Sequence, residues 1–145
     1  GSEMCIRDRY YFTDIGLRNA RLNFRQQEET HIMENIIYNE LNIRGYEVDV
    51  GEIGILEKNG TGYTEKKIEV DFVASKGSKK YYIQSALIMP TEEKKAQEER
   101  PLLKIADSFK KIIIIKDNIK PYHDDNGIGF IGLKDFLLDM NSLDF

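Results

Sequence analysis

The sequence predicts an α/β domain in which helices flank a mixed β-sheet. Three observations support this prediction: a helical segment opens the body of the chain, three strand-like segments follow it, and a second helical segment precedes a strand that is aliphatic on both faces. Consecutive strands joined by short turns pair antiparallel, whereas a strand reached through a helix can pair parallel. We therefore expect both kinds of pairing in one sheet, with helices on both of its faces.

Helical periodicity and end signals place three helices. Apolar residues recur at helical spacing across residues 28–44, and Gly45 follows where a helix commonly ends in left-handed backbone. Thr91 is a suitable N-cap for a second helix that runs to about residue 107, in which Pro101 should cause a kink or begin a separate helix. Residues 133–140 predict a short last helix.

Alternating hydrophobicity and turn residues place the strands. Residues 10–12 predict a short strand followed by a turn at 13–17. The middle of the chain predicts an antiparallel meander with glycine-containing turns, formed by residues 46–50 with a continuation to 56, residues 67–73 and residues 81–88. Later strands are expected at 111–116, which is aliphatic on both faces and therefore buried, and at 128–131.

Composition and charge fit one globular domain. The chain has 145 residues, of which 41% are hydrophobic and 32% charged, and it contains a single cysteine, which excludes a disulfide framework. No apolar run approaches the roughly 18 residues of a membrane span, so we expect a soluble cytoplasmic protein without a membrane partner. The net charge of −4 lies in residues 124–145, and the rest is balanced, which neither indicates nucleic-acid binding nor excludes a basic groove.

The first nine residues are expected to be foreign to the natural protein. Gly1 and Ser2 are typical of the remnant left when a protease removes an expression tag, and residues 2–9 resemble a translated sequencing adaptor. Natural sequence is then expected to begin near Tyr10, and residues 10–145 are expected to form one domain.

Alternation also brings polar side chains of two neighbouring strands together. In the strand at 67–73, three charged residues are expected on the face opposite Ile68, Val70 and Phe72; they are Lys67, Glu69 and Asp71. In the next strand, Tyr82, Gln84 and Ala86 are expected to share a face.

If the two strands pair antiparallel, Asp71 lies near Gln84, and Glu34 on the first helix can point to the same place. A carboxylate with further oxygen ligands is a common arrangement for holding Mg²⁺, so we expect a candidate Mg²⁺ site formed by these three residues and no other cofactor.

The element order and these residues resemble the PD-(D/E)XK nuclease superfamily, whose core runs helix, three strands, helix, strand. The resemblance assigns Glu34 to the acid of the first helix and Asp71 to the aspartate that precedes an apolar strand residue. The acid of the E-x-K strand falls on Gln84, and its lysine falls on Ala86. A restriction-endonuclease-like core is therefore implied, with Glu34, Asp71 and Gln84 at the catalytic and metal positions and Lys67 as a substitute cation.

Five segments also resemble one family within that superfamily, in the order in which the family has them: residues 11–19, 34–41, 45–48, 69–74 and 82–84. This family is the domain of unknown function at the C-terminus of prokaryotic AAA+ ATPases. The resemblance implies an upstream AAA+ module as the partner of this domain. The turn at 59–62 is not a phosphate-binding loop, because it lacks the Lys-Ser/Thr pair that such a loop requires.

Two residues depart from the nuclease pattern, and they change the function that we expect. Gln84 keeps a carbonyl oxygen without a negative charge, and Ala86 offers no cation, so Mg²⁺ binding should be weak. We expect a degenerate accessory domain that binds nucleic acid or a protein partner without cleavage. Two alternatives stay open: an active Mg²⁺-dependent DNA nuclease that uses Glu34, Asp71, Gln84 and Lys67, and an interaction or oligomerisation domain with no nucleic-acid role.

The remaining polar segments have ordinary structural interpretations. His31 and His123 are expected at the surface, as are the mixed-charge run at 92–100 and the aspartate-rich residues after 123. Tyr81 and Tyr82 are expected to pack in the sheet.

Overall fold

The computed structural model describes residues 3–6, 9–12 and 26–145, and the predicted turn at 13–17 lies outside this part of the chain. Its elements, in chain order, are β1 (Glu3–Ile6), β2 (Arg9–Phe12), α1 (Gln26–Ile43), β3 (Glu47–Asn59), β4 (Gly62–Lys76), β5 (Lys79–Ala86), α2 (Glu92–Leu103), β6 (Lys110–Ile115), β7 (Tyr122–His123), β8 (Gly129–Gly132) and α3 (Leu133–Leu138). None of the helices in this part of the chain has the length and apolar content needed to cross a bilayer.

The main sheet has six strands in the order β3-β4-β5-β6-β8-β7, and β1 pairs with β2 in a separate hairpin. The β3-β4-β5 meander is antiparallel, β6 is parallel to both β5 and β8, and β7 returns antiparallel to β8. Helix α2 is the crossover that allows β5 and β6 to run in the same direction. The predicted α/β class with a mixed sheet is confirmed.

Helices cover both faces of the sheet, as predicted. On one face, which we call the α1 face, α1 and α3 pack on strand residues through a cluster that includes Leu41, Phe72 and Phe136. On the other, the α2 face, Leu102 and Ile105 pack on a second cluster. Strand β6 supplies alternate isoleucines to the two clusters, as its aliphatic sequence indicates.

Helix ends that depend on local chemistry match the sequence. Gly45 has φ +86°, and the N–H of Tyr46 donates to the carbonyl of Leu41 at 3.0 Å, which closes the C-terminal turn of α1. At the start of α2, Oγ1 of Thr91 accepts from the N–H of Lys94 at 3.1 Å.

Two predicted helix ends are wrong, and one strand was not predicted. Helix α2 runs through Pro101 without starting a second helix and ends at Leu103, not near 107. Helix α3 stops at Leu138, two residues before its predicted end. Strand β7 was not predicted, because two residues are too few to show an alternating pattern.

A β-bulge interrupts β4. Asp49 pairs with Val73 but Gly51 pairs with Val70, so residues 71 and 72 of β4 stand opposite a single residue of β3. A bulge of this kind inserts one residue into the alternation and bends the strand locally.

The bulge overturns the predicted faces of β4. Ile68 and Val70 belong to the cluster on the α2 face, whereas Phe72 belongs to the cluster on the α1 face. The extra residue reverses the alternation between Val70 and Phe72, because strand side chains alternate with a period of two. The expected single apolar face of residues 67–73 is therefore wrong.

Candidate functional site

Asp71 and Gln84 meet at the bulge of β4. The β4–β5 ladder is paired from Phe72 and Ile83 toward the turn, and Asp71 is the next residue beyond that pairing. Its backbone N–H donates to Oε1 of Gln84 at 2.8 Å. A side-chain amide oxygen thus takes the place that a backbone carbonyl would have in a continuous ladder, which satisfies a donor that the bulge displaces.

The carboxylate of Asp71 is held by the same strand, β5, through Ser85. Its Oδ2 accepts the backbone N–H of Ser85 at 2.8 Å and the Ser85 hydroxyl at 3.0 Å. Hydrogen bonds to an ionised acceptor are stronger than neutral ones, so these two contacts fix the carboxylate firmly against β5. We call Asp71, Gln84 and Ser85 the bulge cluster.

The bulge cluster connects the two faces of the sheet. Gln84 lies between Tyr82 and Ala86, which belong to the core on the α2 face, as the alternation predicts. Ser85 has the opposite parity and lies on the α1 face. Gln84 and Ser85 are only 8% and 9% exposed, whereas Asp71 is half-buried, so the cluster lies where the interior meets the surface.

Glu34 lies on the helix that covers the α1 face. It is 9% exposed and sits among the inward residues of α1, next to Met33. One turn later, the ring of Tyr38 is centred 6.5 Å from the ring of Phe72, the neighbour of Asp71. The helix therefore places Glu34 on the side of the sheet on which Ser85 meets Asp71.

Lys67 lies apart from the bulge cluster. Its ammonium pairs with Glu52 at 3.2 Å, and its side chain is 70% exposed. It lies four positions before Asp71, which corresponds to roughly 13 Å along β4. Ala86, at the position that the resemblance assigns to a lysine, is packed into the core on the α2 face.

The oxygens of the bulge cluster are a poor fit for Mg²⁺ in this arrangement. Across the described residues, no group of three or more His, Cys, Asp or Glu side chains could hold a metal ion. Gln84 Oε1 and Asp71 Oδ2 together accept three protein hydrogen bonds, which compete with a metal for the lone pairs of these oxygens. Mg²⁺ also requires near-octahedral oxygen geometry and prefers anionic ligands, whereas Gln84 is neutral.

A second polar region lies at the opposite end of β4 and β5. The β4–β5 turn and the start of the parallel strand β6 bring five lysines to one edge, which we call the lysine end: Lys76, Lys79, Lys80, Lys110 and Lys111. A cavity of about 300 Å³ opens there, lined in part by Arg44, Lys76 and Lys79. The lysine end is therefore a local concentration of positively charged side chains at one edge of the sheet.

Contacts with the C-terminal residues partly neutralise the lysine end. Lys79 pairs with Asp144 at 2.9 Å, and this hydrogen bond and charge raise the pKa of Lys79. Burial lowers the pKa of Lys110, whose ammonium donates to the carbonyl of Leu143 at 2.7 Å. The lysines of this edge are therefore not equivalent.

Sequence reasoning missed Ser85 and two buried acids. Apart from its position beside Gln84, nothing in the sequence marks Ser85 as a residue of the site. Glu99 and Asp124 were expected in solvated segments, but Glu99 is 4% exposed and the side chain of Asp124 is 7% exposed. His31 and His123 are exposed, and Tyr81 and Tyr82 are buried, as predicted.

The chain is similar in sequence to part of an uncharacterised protein. No protein-family model matches the sequence. An uncharacterised protein of Haemophilus influenzae is 33% identical over 130 residues, which is 90% of this chain and 28% of the relative. The chain therefore spans less than a third of the length of that relative, and it is similar to one portion of a longer protein.

Proposed function

We propose that this chain is a nuclease-fold accessory domain of a longer, AAA+-type ATPase, and that it binds nucleic acid without cleaving it. The element order helix, three strands, helix, strand and the sheet order β3-β4-β5-β6 support the PD-(D/E)XK assignment. The H. influenzae relative, more than three times as long, is consistent with a module that works within a larger protein.

The observation that carries the non-cleaving part of the proposal is the hydrogen bonding of the bulge cluster. The two oxygens that would bind a metal, on Asp71 and Gln84, accept hydrogen bonds from neighbouring strand groups. Ala86 fills the position of the nuclease lysine with a buried methyl group, and Lys67 is paired elsewhere. These contacts support a structural role for the residues at the nuclease positions.

The nucleic-acid part rests on the lysine end. Phosphate contacts by lysine and arginine supply most of the affinity of sequence-independent binding, and they need only a local concentration of positive charge. Lys76 and Lys79 are exposed beside a cavity of about 300 Å³, with Lys80 on the adjoining strand. A protein partner with an acidic surface is the competing interpretation of the same edge.

Cleavage is tested with plasmid and branched DNA in Mg²⁺ or Mn²⁺. The wild-type chain should leave both substrates intact, and Mn²⁺ should show no saturable binding by isothermal titration calorimetry. Gln84→Glu, which restores an acid and keeps an acceptor for the Asp71 N–H, should gain measurable Mn²⁺ binding. Metal-dependent cleavage by the wild type that disappears in Asp71→Asn would instead establish the active nuclease.

Nucleic-acid binding is tested by fluorescence anisotropy with single- and double-stranded oligonucleotides between 50 and 200 mM salt. The double variant Lys79→Gln/Lys80→Gln should weaken binding about tenfold and reduce the salt slope by about two, because each phosphate contact contributes roughly one. The matched control is Lys66→Gln/Lys67→Gln, an adjacent lysine pair on the β3–β4 hairpin, which should change affinity less than about twofold. No wild-type binding at 50 mM salt would leave the protein-partner interpretation.

A further inference from the structure

The edge hairpin β7–β8 packs against α2, and residues of both line a cavity of about 440 Å³. The rings of Tyr122 and Phe130 stack with centroids 4.9 Å apart. The ammonium of Lys95, from α2, lies 5.1 Å from the Phe130 ring centroid and 3.7 Å from Oδ2 of Asp124. A cation over aromatic faces and beside a carboxylate stabilises this contact.

Asp124 organises the turn between β7 and β8. Its Oδ1 accepts the backbone N–H groups of Asn126 and Ile128, each at 3.0 Å, and its own N–H donates to the carbonyl of Ile128 at 3.0 Å. Burial alone would raise the pKa of Asp124, but hydrogen bonds from Glu99 and from these two N–H groups lower it. The Asp124 side chain is therefore ionised in the folded hairpin.

Glu99 stands against this carboxylate from the helix side. It is 4% exposed, it lines the same cavity, and its Oε1 has no hydrogen-bond partner among the described residues. Burial, followed by the hydrogen bond and charge of Asp124, raises the pKa of Glu99 to about 7. Two carboxyl groups in contact cannot both ionise without repulsion, so the pair holds one proton most stably.

We propose that Glu99 and Asp124 form a proton-dependent clamp that controls the docking of the β7–β8 hairpin on α2. When Glu99 is protonated, its carboxyl group donates a hydrogen bond to the Asp124 carboxylate, and this bond holds the hairpin against α2. Loss of that proton sets two negative charges against each other in a buried place and loosens the hairpin. Because β7 is an edge strand of the sheet, loosening exposes the backbone of β8.

The surroundings decide how strongly the clamp responds. The other titratable groups that line the cavity are Glu92 and Lys95 from α2, and His123 and Asp125 from the hairpin. Lys95 favours the ionised form of both members of the pair, whereas Glu92 and Asp125 add negative charge and oppose ionisation. With one cation against two further carboxylates, the cavity retains an excess of negative charge after Glu99 ionises.

Amide hydrogen exchange measures the clamp locally. In the wild-type chain, protection factors of the Asp124 and Ile128 amides should fall between pH 5 and 7.5, by at most about tenfold per pH unit because one proton is linked. Amides in the centre of β5 serve as the internal reference. Glu99→Gln keeps a donor for Asp124 and cannot ionise, so its hairpin protection should stay constant over the same range.

The control variant is Glu98→Gln, which changes an adjacent acid that pairs with Lys94 at 2.8 Å on the outer side of α2. It should retain the wild-type pH dependence. Asp124→Asn, which keeps an oxygen for the two backbone N–H groups but removes the opposing charge, should show a weaker pH dependence than the wild type, because burial still raises the pKa of Glu99. Hairpin protection that is independent of pH in the wild type, or equally dependent in Glu99→Gln, would overturn the clamp.

Discussion

The bulge cluster and the Glu99–Asp124 pair both hold a carboxylate beside the same sheet, half-buried in Asp71 and buried in Glu99, but the groups around the two carboxylates differ in chemistry. Asp71 is surrounded by donors: the N–H and the hydroxyl of Ser85 both point at its Oδ2. Glu99 faces another acid, and one of its oxygens has no partner in the described part of the chain. What a buried acid can do is therefore decided by the donors around it and not by burial alone.

This difference separates a structural site from a responsive one. The N–H and the hydroxyl of Ser85 on β5 are fixed hydrogen-bond donors, and they stabilise the carboxylate form of Asp71 as part of the folded structure. The acid pair needs a proton from solvent, so its stability follows pH. The two regions lie on different elements, so substitutions can test each without disturbing the other.

The largest effect is expected at Asp71. Asp71→Ala removes the acceptor of two hydrogen bonds and leaves the buried Ser85 groups without it, which should cost about 2–4 kcal/mol of unfolding free energy. Asp71→Asn keeps one oxygen acceptor, so its free energy of unfolding should fall by clearly less than that of Asp71→Ala. Urea unfolding followed by circular dichroism measures both. Equal losses in the two variants would show that the charge, and not the acceptor geometry, holds the bulge.

A smaller effect is expected at Gln84. Gln84→Leu has a similar volume but leaves the Asp71 N–H without its acceptor, which should cost about 1–3 kcal/mol. Gln84→Glu retains the acceptor and is the matched comparison; its loss should be smaller at neutral pH. If Gln84→Leu leaves the free energy of unfolding unchanged in the same urea experiment, the bulge does not depend on this amide.

Local signals were enough to predict most elements, because caps and turns act over a few residues. Gly45 and Thr91 mark helix ends at the predicted places for this reason. The bulge could not be predicted from alternation, because a pattern with a period of two gives no sign of an inserted residue. The side chain that stabilises the bulge, Gln84, is also 13 positions away from Asp71 in the sequence.

The candidate site was predictable only in part. Alternation and antiparallel pairing bring Asp71 toward Gln84, but the role of Ser85 follows from the reversed parity after the bulge. Glu99 and Glu98 look alike in sequence, since each has a lysine four residues before it. Glu99 is buried and Glu98 is half-buried, and this difference arises from the hairpin that packs against α2 in the folded chain.

The smallest effect on stability is expected at Glu99, and its size depends on pH. The pKa of Glu99 is raised from 4.5 to about 7 in the folded chain, so the fold binds a proton more tightly than the unfolded chain does. The stabilisation is therefore complete near pH 4.5, falls as the pH rises toward 7, and is absent above it. Glu99→Gln should make the chain more stable than the wild type by about 1–2 kcal/mol at pH 8, and the difference should vanish near pH 5. Thermal unfolding of both variants at several pH values measures this, with Glu98→Gln as the control. A constant difference across that range would mean that the amide improves packing without any linked proton.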